Sequence, residues 1–470
     1  MPEKYWIDTI KQHKFTSNSN SIKMIRLFLL FILALMVFPA CSEDRESHEP
    51  PVFKSSFPAD GATEVRLSAE VEITFDEVIT LSESHGITVN EKPVEASSLL
   101  TKVVLNLTLE YDKHYSVNIP AGAVINTFGV PSQSAVSFSF TTVAAPQDQV
   151  TAELVVNNPS SQAINLFNFL IDNYGEKSIS GAMANVSWNI NEAEWVYQHT
   201  GKYPAMNGFD IIHLWASPAN WIDYTDVSVV EDWWNNNGIV HFTWHWNVPV
   251  EQGGTNYAFY TNETSFDIRE AVKEGTWENE VIMADLEKAA DVLELLRDKG
   301  IPVLWRPLHE AAGTWFWWGA KGAEPCKQLW RIMFDYFESR QLNNLIWVWT
   351  VEPNDDDWYP GDQYVDMIGR DIYNRHNAQN LADEFNSIQS RFPGKIISLS
   401  ECGNLSTISS QWEAGAKWSF FMPWYDYSRT VNMSGTAFSE ESHEFANADW
   451  WRDAFSKDFV LTRDQMPDLK

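Results

Sequence analysis

Acidic, imidazole, guanidinium and aromatic side chains close a series of apolar runs in the second half of this sequence. One run ends in Trp244, His245 and Trp246, and the next in Arg306, His309 and Glu310. Later runs end in Glu352, in Arg370, Asp371 and Tyr373, in Glu401, and in Trp424, Tyr425 and Asp426. Carboxyls gathered at one place suit the cleavage of an acetal. One of them, kept protonated, donates to the leaving oxygen; the other, ionised, attacks the anomeric carbon or activates water. Where the second carboxylate is itself the nucleophile, the two groups stand about 5–5.5 Å apart. Glu310 and Glu401 meet this demand if their runs face each other across one mouth. Spacing alone leaves Glu352 and Asp371 as alternatives.

Convergence of this kind requires parallel strands whose C-terminal ends share a face. The runs are 180–188, 209–217, 238–246, 301–309, 344–352, 365–373, 395–403 and 418–426, eight in all. Most are apolar in their first half, as strands buried on both faces are. Helical spacing lies between several of them, most clearly at 280–299 and then at 327–341 and 379–391. Eight βα units between 159 and 465 suit an α/β fold of the (β/α)8 TIM barrel type, which carries its chemistry at the strand C-termini. No glycine-rich phosphate loop follows the first strand. Trp233-Trp234 and Trp450-Trp451 fall in helical patterns and are expected to pack the barrel exterior. Of Trp317 and Trp318, one is expected to face the cleft and the other the core.

Residues 53–142 have a different character. Short alternating runs at 71–79, 86–94, 102–110, 114–122 and 135–142, separated by turn residues, predict an all-β sandwich. Residues 42–52 and 143–158 read as linkers on either side. Upstream, IRLFLLFILALMVF (25–38) falls short of the ~20 apolar residues of a membrane span. With Lys23 and Arg26 as its positive flank it fits the core of a signal peptide, so 1–41 reads as a leader and Met24 as an alternative start. Ala40-Cys41 resembles a bacterial lipobox, although Phe38 and Pro39 depart from its preferred residues. Ser42-Glu43-Asp44 resembles the surface-export signal of Bacteroidetes lipoproteins. The expected address is the outer membrane, with Cys41 lipidated and the chain facing the surroundings or the periplasm.

Composition narrows the partners. Asp and Glu outnumber Lys and Arg by 64 to 33, for a net charge of −31, which disfavours nucleic acid and acidic polysaccharides. A neutral polysaccharide remains, and 23 Trp, 27 Phe and 15 Tyr supply flat faces for sugar rings as well as core. Three cysteines make neither a disulfide framework nor a zinc ribbon. His309-Glu310 begins like a zincin motif, but Gly313 stands where its second histidine belongs, so no metal is expected. His241 reads as a core residue and Cys402 as a small buried one.

WRPLHEAAGTWFWWG (305–319) is similar to the strand-four signature of glycoside hydrolase family 26. SGAMANVSW, TGKYPAMNGFDII, TWHWNVP, LIWVWTVEP, GRDIY and SLSECG fall in the matching order over 159–460. FPADGATEV, YSVNIPAGAV and FSFTT make 53–142 resemble a bacterial immunoglobulin-like domain. The resemblance implies a barrel that works by retaining double displacement without a cofactor, with Glu310 as acid/base and Glu401 as nucleophile. It places Arg306, His309, His245, Trp315, Tyr373 and Trp424 around the sugar next to the cut. Asp371 is grouped with these binding residues, although read residue by residue it and Glu352 orient Arg and Tyr side chains. The implied substrate is a neutral plant β-1,4-mannan, galactomannan or glucomannan. Mixed-linkage β-glucan and β-1,3-xylan are alternatives within the family. A surface glycan-binding lipoprotein that no longer catalyses would lack one of the two glutamates, and both are present. The address adds glycan-uptake machinery as a partner. Ala311-Ala312-Gly313 replaces the family's more usual Met-Asn-Gly, and the long segment 249–279 is expected to wall one end of the cleft.

Overall fold

Alternation of apolar and polar residues, bounded by turns, builds the first set of strands. The structure, a computed structural model, describes residues 49–65, 69–143, 150–219, 221–353 and 355–470. The leader and Cys41 lie outside the described residues. One sheet of the N-terminal region orders Phe53–Phe57, Val71–Phe75, Lys102–Asn106 and Glu95–Leu99. A second orders Ala62–Val65, Val136–Thr142, His114–Ile119, Thr88–Val89 and Lys92–Pro93, and a small third sheet pairs Val124–Asn126 with Ile79–Leu81. Exposed and buried residues alternate strictly along His114–Ile119, and Ile73, Val103, Val117 and Phe140 meet in the core. This is the expected sandwich. Phe53–Phe57 and Glu95–Leu99 fall outside the expected runs. Both are edge strands with mostly exposed side chains, so neither carries a clean period of two.

All eight expected parallel strands of the second region are present. They are β1 (Ser178–Met183), β2 (Met206–Asp210), β3 (Ile239–Thr243), β4 (Val303–Arg306), β5 (Leu345–Val351), β6 (Met367–Tyr373), β7 (Ile396–Gly403) and β8 (Phe420–Pro423). Each pairs with the next, and β1 pairs with both β8 and β2, which closes the barrel. Most expected runs extend past the observed strand end, because the loops at that end are rich in aromatic residues. Helices Trp277–Asp298, Ala323–Ser339 and Ala378–Arg391 match the three expected patterns. After β5, two short 3-10 turns, Asp356–Trp358 and Asp362–Tyr364, stand where a helix would complete the unit.

The strands are buried on both faces. Leu304, Ile346, Val348, Met367 and Ile396 belong to a core with Met183, Met206 and Met422. Trp305 packs on Phe337, and Trp347 and Trp349 pack on Trp330, so alternate residues of β4 and β5 meet helix Ala323–Ser339. Trp233-Trp234 and Trp450-Trp451 lie buried on helices Ser228–Asn235 and Ala448–Phe455, as expected of the exterior layer. The chain is fastened to the barrel before residue 159: the Val155 amide donates to Asp366 Oδ1 at 2.8 Å and the Thr151 amide to the Gly394 carbonyl at 3.0 Å. At the other end, Val460–Leu461 pairs with β1.

Gly208 in β2 lies against two methionines. A Cβ there would meet Met422 Sδ at 2.6 Å and Met183 Sδ at 2.8 Å, with His241 Nδ1 at 3.3 Å. Gly208→Ala therefore overpacks the barrel, and we expect a loss of ~1–3 kcal/mol, seen as a lower urea midpoint with an unchanged slope.

Candidate active site

Arg306 ends β4 and its side chain is wholly buried. Its Nη1 donates to Asp371 Oδ2 at 2.8 Å and to Thr350 Oγ1 at 3.2 Å, while Nη2 donates to Glu401 Oε2 at 2.6 Å. One guanidinium thus links β4, β5, β6 and β7. Ser400 Oγ donates to the other oxygen of Asp371 at 2.6 Å, so both of its oxygens are engaged inside the protein. Asp371 has no exposed side-chain surface, and its place is that of an anchor for Arg306 rather than of a group that touches a sugar.

Glu401 owes its direction to an irregularity in β7. Gly369 pairs with Ser398 and Asp371 with Glu401, so β7 carries one residue more than β6 across that interval; the pairing with β8 shifts over the same stretch. A bulge of this kind re-aims side chains. It sets Ser400 on Asp371 and Glu401 between Arg306 and Tyr373. The Tyr373 hydroxyl donates to Glu401 Oε1 at 2.7 Å. Gly403 makes room for this tyrosine: a Cβ there would lie 2.3 Å from Phe445 and 2.9 Å from the Tyr373 ring.

Glu310 sits beyond the end of β4 on a strained turn. Leu308, Glu310 and Thr314 all have positive φ, at 48°, 51° and 63°. Such non-glycine conformations cost about 1–3 kcal/mol each and persist where the surroundings over-determine them. Here Trp318 Nε1 donates to the His309 carbonyl and Trp317 Nε1 to the Trp246 carbonyl. Both indoles are fully buried, so neither faces the cleft, contrary to the expectation for one of them. The exposed ring is Trp315, at 41% exposure, and its Nε1 donates to Glu310 Oε2 at 2.9 Å. This ring folds back over Gly313, where a Cβ would lie 2.0 Å from it, which gives a steric reason for glycine at 313.

The two glutamates are prepared differently. Burial, then the charges of Asp371 and Glu401, push Glu310 well above the usual carboxylate range. Burial and Asp371 also raise Glu401, while Arg306, His245 and the Tyr373 hydroxyl oppose them. Both Glu401 oxygens already accept a hydrogen bond, and these donors favour its ionised form. Only Oε2 of Glu310 is so occupied. Glu310 is thus raised further than Glu401, which carries more groups that favour its charge.

The remaining expected residues form the walls. His309 is buried, and burial and Arg306 keep it neutral, well below the ordinary histidine value. His245 lies 4.5 Å from His309 and 5.6 Å from Trp424, ring to ring. Trp424 is nearly buried, its amide bound to the Cys402 carbonyl. Cys402 is a buried free thiol, raised well above its usual value by burial and by Glu401. His241 is packed in the barrel with neither ring nitrogen bonded. Glu352, pushed up to about 7 mainly by burial, pairs with Arg370, which also holds Glu384.

Two residues escaped the sequence reading, Asp210 and Tyr260, and a third, Tyr425, was read only as one of the residues that close the last run. Asp210, at the end of β2, grips His245. Tyr260 lies in the segment 249–279 and is raised to about 12, by burial first and then by the charges of Glu310, Glu263 and Glu401. Tyr425 follows Trp424 and is raised well above its usual value, by burial first and then by Asp210 and Glu401. Asp210 closes the observed β2, but the expected run 209–217 placed it near the start, so it gave no strand-end signal. Tyr260 carried none, because it reaches the site through tertiary packing. Its backbone bridges to Phe316, the Thr261 amide donates to the Trp315 carbonyl at 2.7 Å, and the segment is thereby tied to the Glu310 loop.

A half-buried glutamate raised well above the usual carboxylate range and a buried one held by an arginine and a tyrosine, both at the C-terminal face of a (β/α)8 barrel, suit the two carboxyls that cleave a glycosidic bond and point to the glycoside hydrolases. The chain belongs to glycosyl hydrolase family 26, whose model matches residues 155–447; a bacterial Ig-like domain matches residues 47–142. It is 33% identical to a mannan endo-1,4-beta-mannosidase of Thermothelomyces thermophilus, over 78% of this chain and 77% of that one. Among solved structures it resembles the GH26 domain of an endo-beta-mannanase/endo-beta-glucanase from Prevotella bryantii, at 38% identity, with a TM-score of 0.60, over 67% of this chain and 99% of that one. It also resembles a beta-mannanase from a symbiotic protist of the termite Reticulitermes speratus, solved with a gluco-manno-oligosaccharide, at 40% identity and a TM-score of 0.59, over 68% of this chain and 99% of that one.

The pH profile tests the assignment. Asp371 is the largest neighbouring charge that raises Glu310. Its removal in Asp371→Asn lowers the Glu310 pKa, so the proton is lost at lower pH. We expect the alkaline limb of kcat/KM to move toward acid and the maximum to fall as Arg306 loses an anchor.

Proposed function

We propose that the chain is a retaining endo-β-1,4-mannanase acting on mannan, galactomannan or glucomannan. The observation that carries the chemistry is the unequal treatment of the two glutamates: Arg306 and Tyr373 hold both oxygens of Glu401, while Glu310 keeps one free to bear a proton. The names of the family relatives above support the choice of sugar.

In the first step Glu401 Oε attacks the anomeric carbon, the bond from that carbon to the leaving oxygen breaks, and the Glu310 proton passes to the leaving oxygen. A glycosyl ester on Glu401 results. In the second step Glu310, now ionised, takes a proton from water as its oxygen attacks the same carbon. The ester bond breaks and the Glu401 carboxylate is restored. Inversion occurs twice, so configuration is retained. Exposed Trp315, with His245 and Trp424 behind it, offers aromatic and imidazole faces to the sugar at the cut.

Digestion of mannan, galactomannan, glucomannan, mixed-linkage β-glucan and β-1,3-xylan, with products separated by size, tests the substrate. A spread of manno-oligosaccharides is expected; cleavage of the β-glucan or the xylan alone would overturn it. Glu401→Ala should be inactive on all of these. Glu310→Ala should retain relatively more activity on aryl glycosides with good leaving groups, because protonation then matters less. An equal loss on every substrate speaks against the acid role.

The leader supports a second part of the reading: a chain anchored through lipidated Cys41 on the outer membrane, surface-facing and beside glycan-uptake machinery. Mass spectrometry of the mature protein should find a diacylglyceryl Cys41 at its N-terminus and a soluble, unlipidated product from Cys41→Ser. A free thiol at Cys41 in the mature wild type would overturn the anchor.

A further inference from the structure

The hydrolysis above gives Asp210 no task, yet few side chains near the site are as fully committed. Asp210 is the last residue of β2 and its side chain is wholly shielded from solvent. Both carboxylate oxygens turn to one neighbour: Oδ1 accepts the His245 amide at 3.1 Å, and Oδ2 lies 2.6 Å from His245 Nδ1. From behind, the Tyr224 hydroxyl donates to the Asp210 carbonyl at 3.1 Å, which fixes the backbone that carries the carboxylate.

A carboxylate can only accept, so Nδ1 carries a proton, and in the singly protonated ring the lone pair is left on Nε2. The imidazole is boxed by His309 at 4.5 Å, Phe259 at 5.2 Å, and Phe316 and Trp424 at 5.6 Å, yet its side chain remains 8% exposed. Among the described residues no protein group bonds Nε2. The opposite tautomer would turn an N–H donor into the same mouth, where a bond to Glu401 would draw electron density from the attacking oxygen.

We propose that Asp210 is a positioning residue: it locks His245 in the Nδ1–H form and so presents Nε2 as a hydrogen-bond acceptor to a hydroxyl of the sugar bound beside Glu401. This rests on the proposed glycoside hydrolysis, but the tautomer can be read without any substrate.

The test uses the full chain with 15N-labelled histidine, the His245 resonances being assigned by their absence in His245→Gln. In the wild type the neutral ring should carry its proton on Nδ1. Asp210→Asn, whose amide can donate, should move the proton to Nε2 and lower kcat by about 10- to 100-fold, with KM changed by less than about threefold. In the His245→Gln background Asp210→Asn should have no further effect on kcat, because the two residues act as one unit. A wild-type His245 protonated on Nε2, or effects of the two substitutions that multiply, would overturn the proposal. If Asp210→Asn does not fold, the wild-type spectrum alone decides. A wild-type enzyme inactive on every glycan would instead overturn the hydrolase reading and leave the tautomer result standing.

Discussion

A buried guanidinium governs this barrel's mouth. Arg306 has no access to solvent, so its charge must be met within the protein, and it is met by Asp371 and Glu401 together. Removing one partner of a buried ion pair typically costs about 3–5 kcal/mol, because the other charge is left uncompensated. Here one cation faces two anions, so the cluster already carries an excess of negative charge. A third carboxyl nearby cannot ionise cheaply. The raised pKa of Glu310 is therefore a consequence of how Arg306 is neutralised as well as of its own burial.

The geometry of the scaffold serves that cluster. Arg306 reaches three neighbouring strands because it ends β4 pointing into the barrel, and Glu401 receives it because β7 carries an extra residue just before the glutamate. The strained turn that carries Glu310 is held by indole N–H groups bonded to backbone carbonyls on both sides. Trp317 and Trp318 thus act on chemistry without touching a sugar. Their burial leaves Trp315 alone in its run at the surface, bonded to Glu310.

Much of this was legible in the sequence. All eight strands and the three clearest helices could be read, because parallel strands buried on both faces and helices with one apolar stripe leave periodic signals. The strand-end residues were legible for the same reason: a charged residue after an apolar run is conspicuous. Edge strands of the sandwich were not, since Phe53–Phe57 and Glu95–Leu99 have too little burial to impose alternation. The orientations of Trp317 and Trp318 were not, because identical side chains side by side differ only in what the fold brings to each. Spacing left Glu352 and Asp371 open as catalytic acids. Only the hydrogen bonds separate them, with Asp371 closed around Arg306 and Ser400 and Glu352 turned to Arg370. Tyr260 was invisible because it arrives from 249–279 through a bridge to Phe316.

On the roles proposed for Glu310 and Glu401, the same cluster explains how one glutamate can serve in turn as acid and as base. While Glu401 is ionised, its charge and that of Asp371 both oppose loss of the Glu310 proton. Once Glu401 is esterified it has no charge, and Arg306 is balanced by Asp371 alone. The excess negative charge that held the proton on Glu310 has disappeared at the moment when Glu310 must remain ionised and accept a proton from water. Hydrolysis of the ester restores the Glu401 charge and, with it, the preference for a protonated Glu310. The switch follows from placing two carboxylates against a single buried arginine and making one of the two the group that is consumed and regenerated in each cycle.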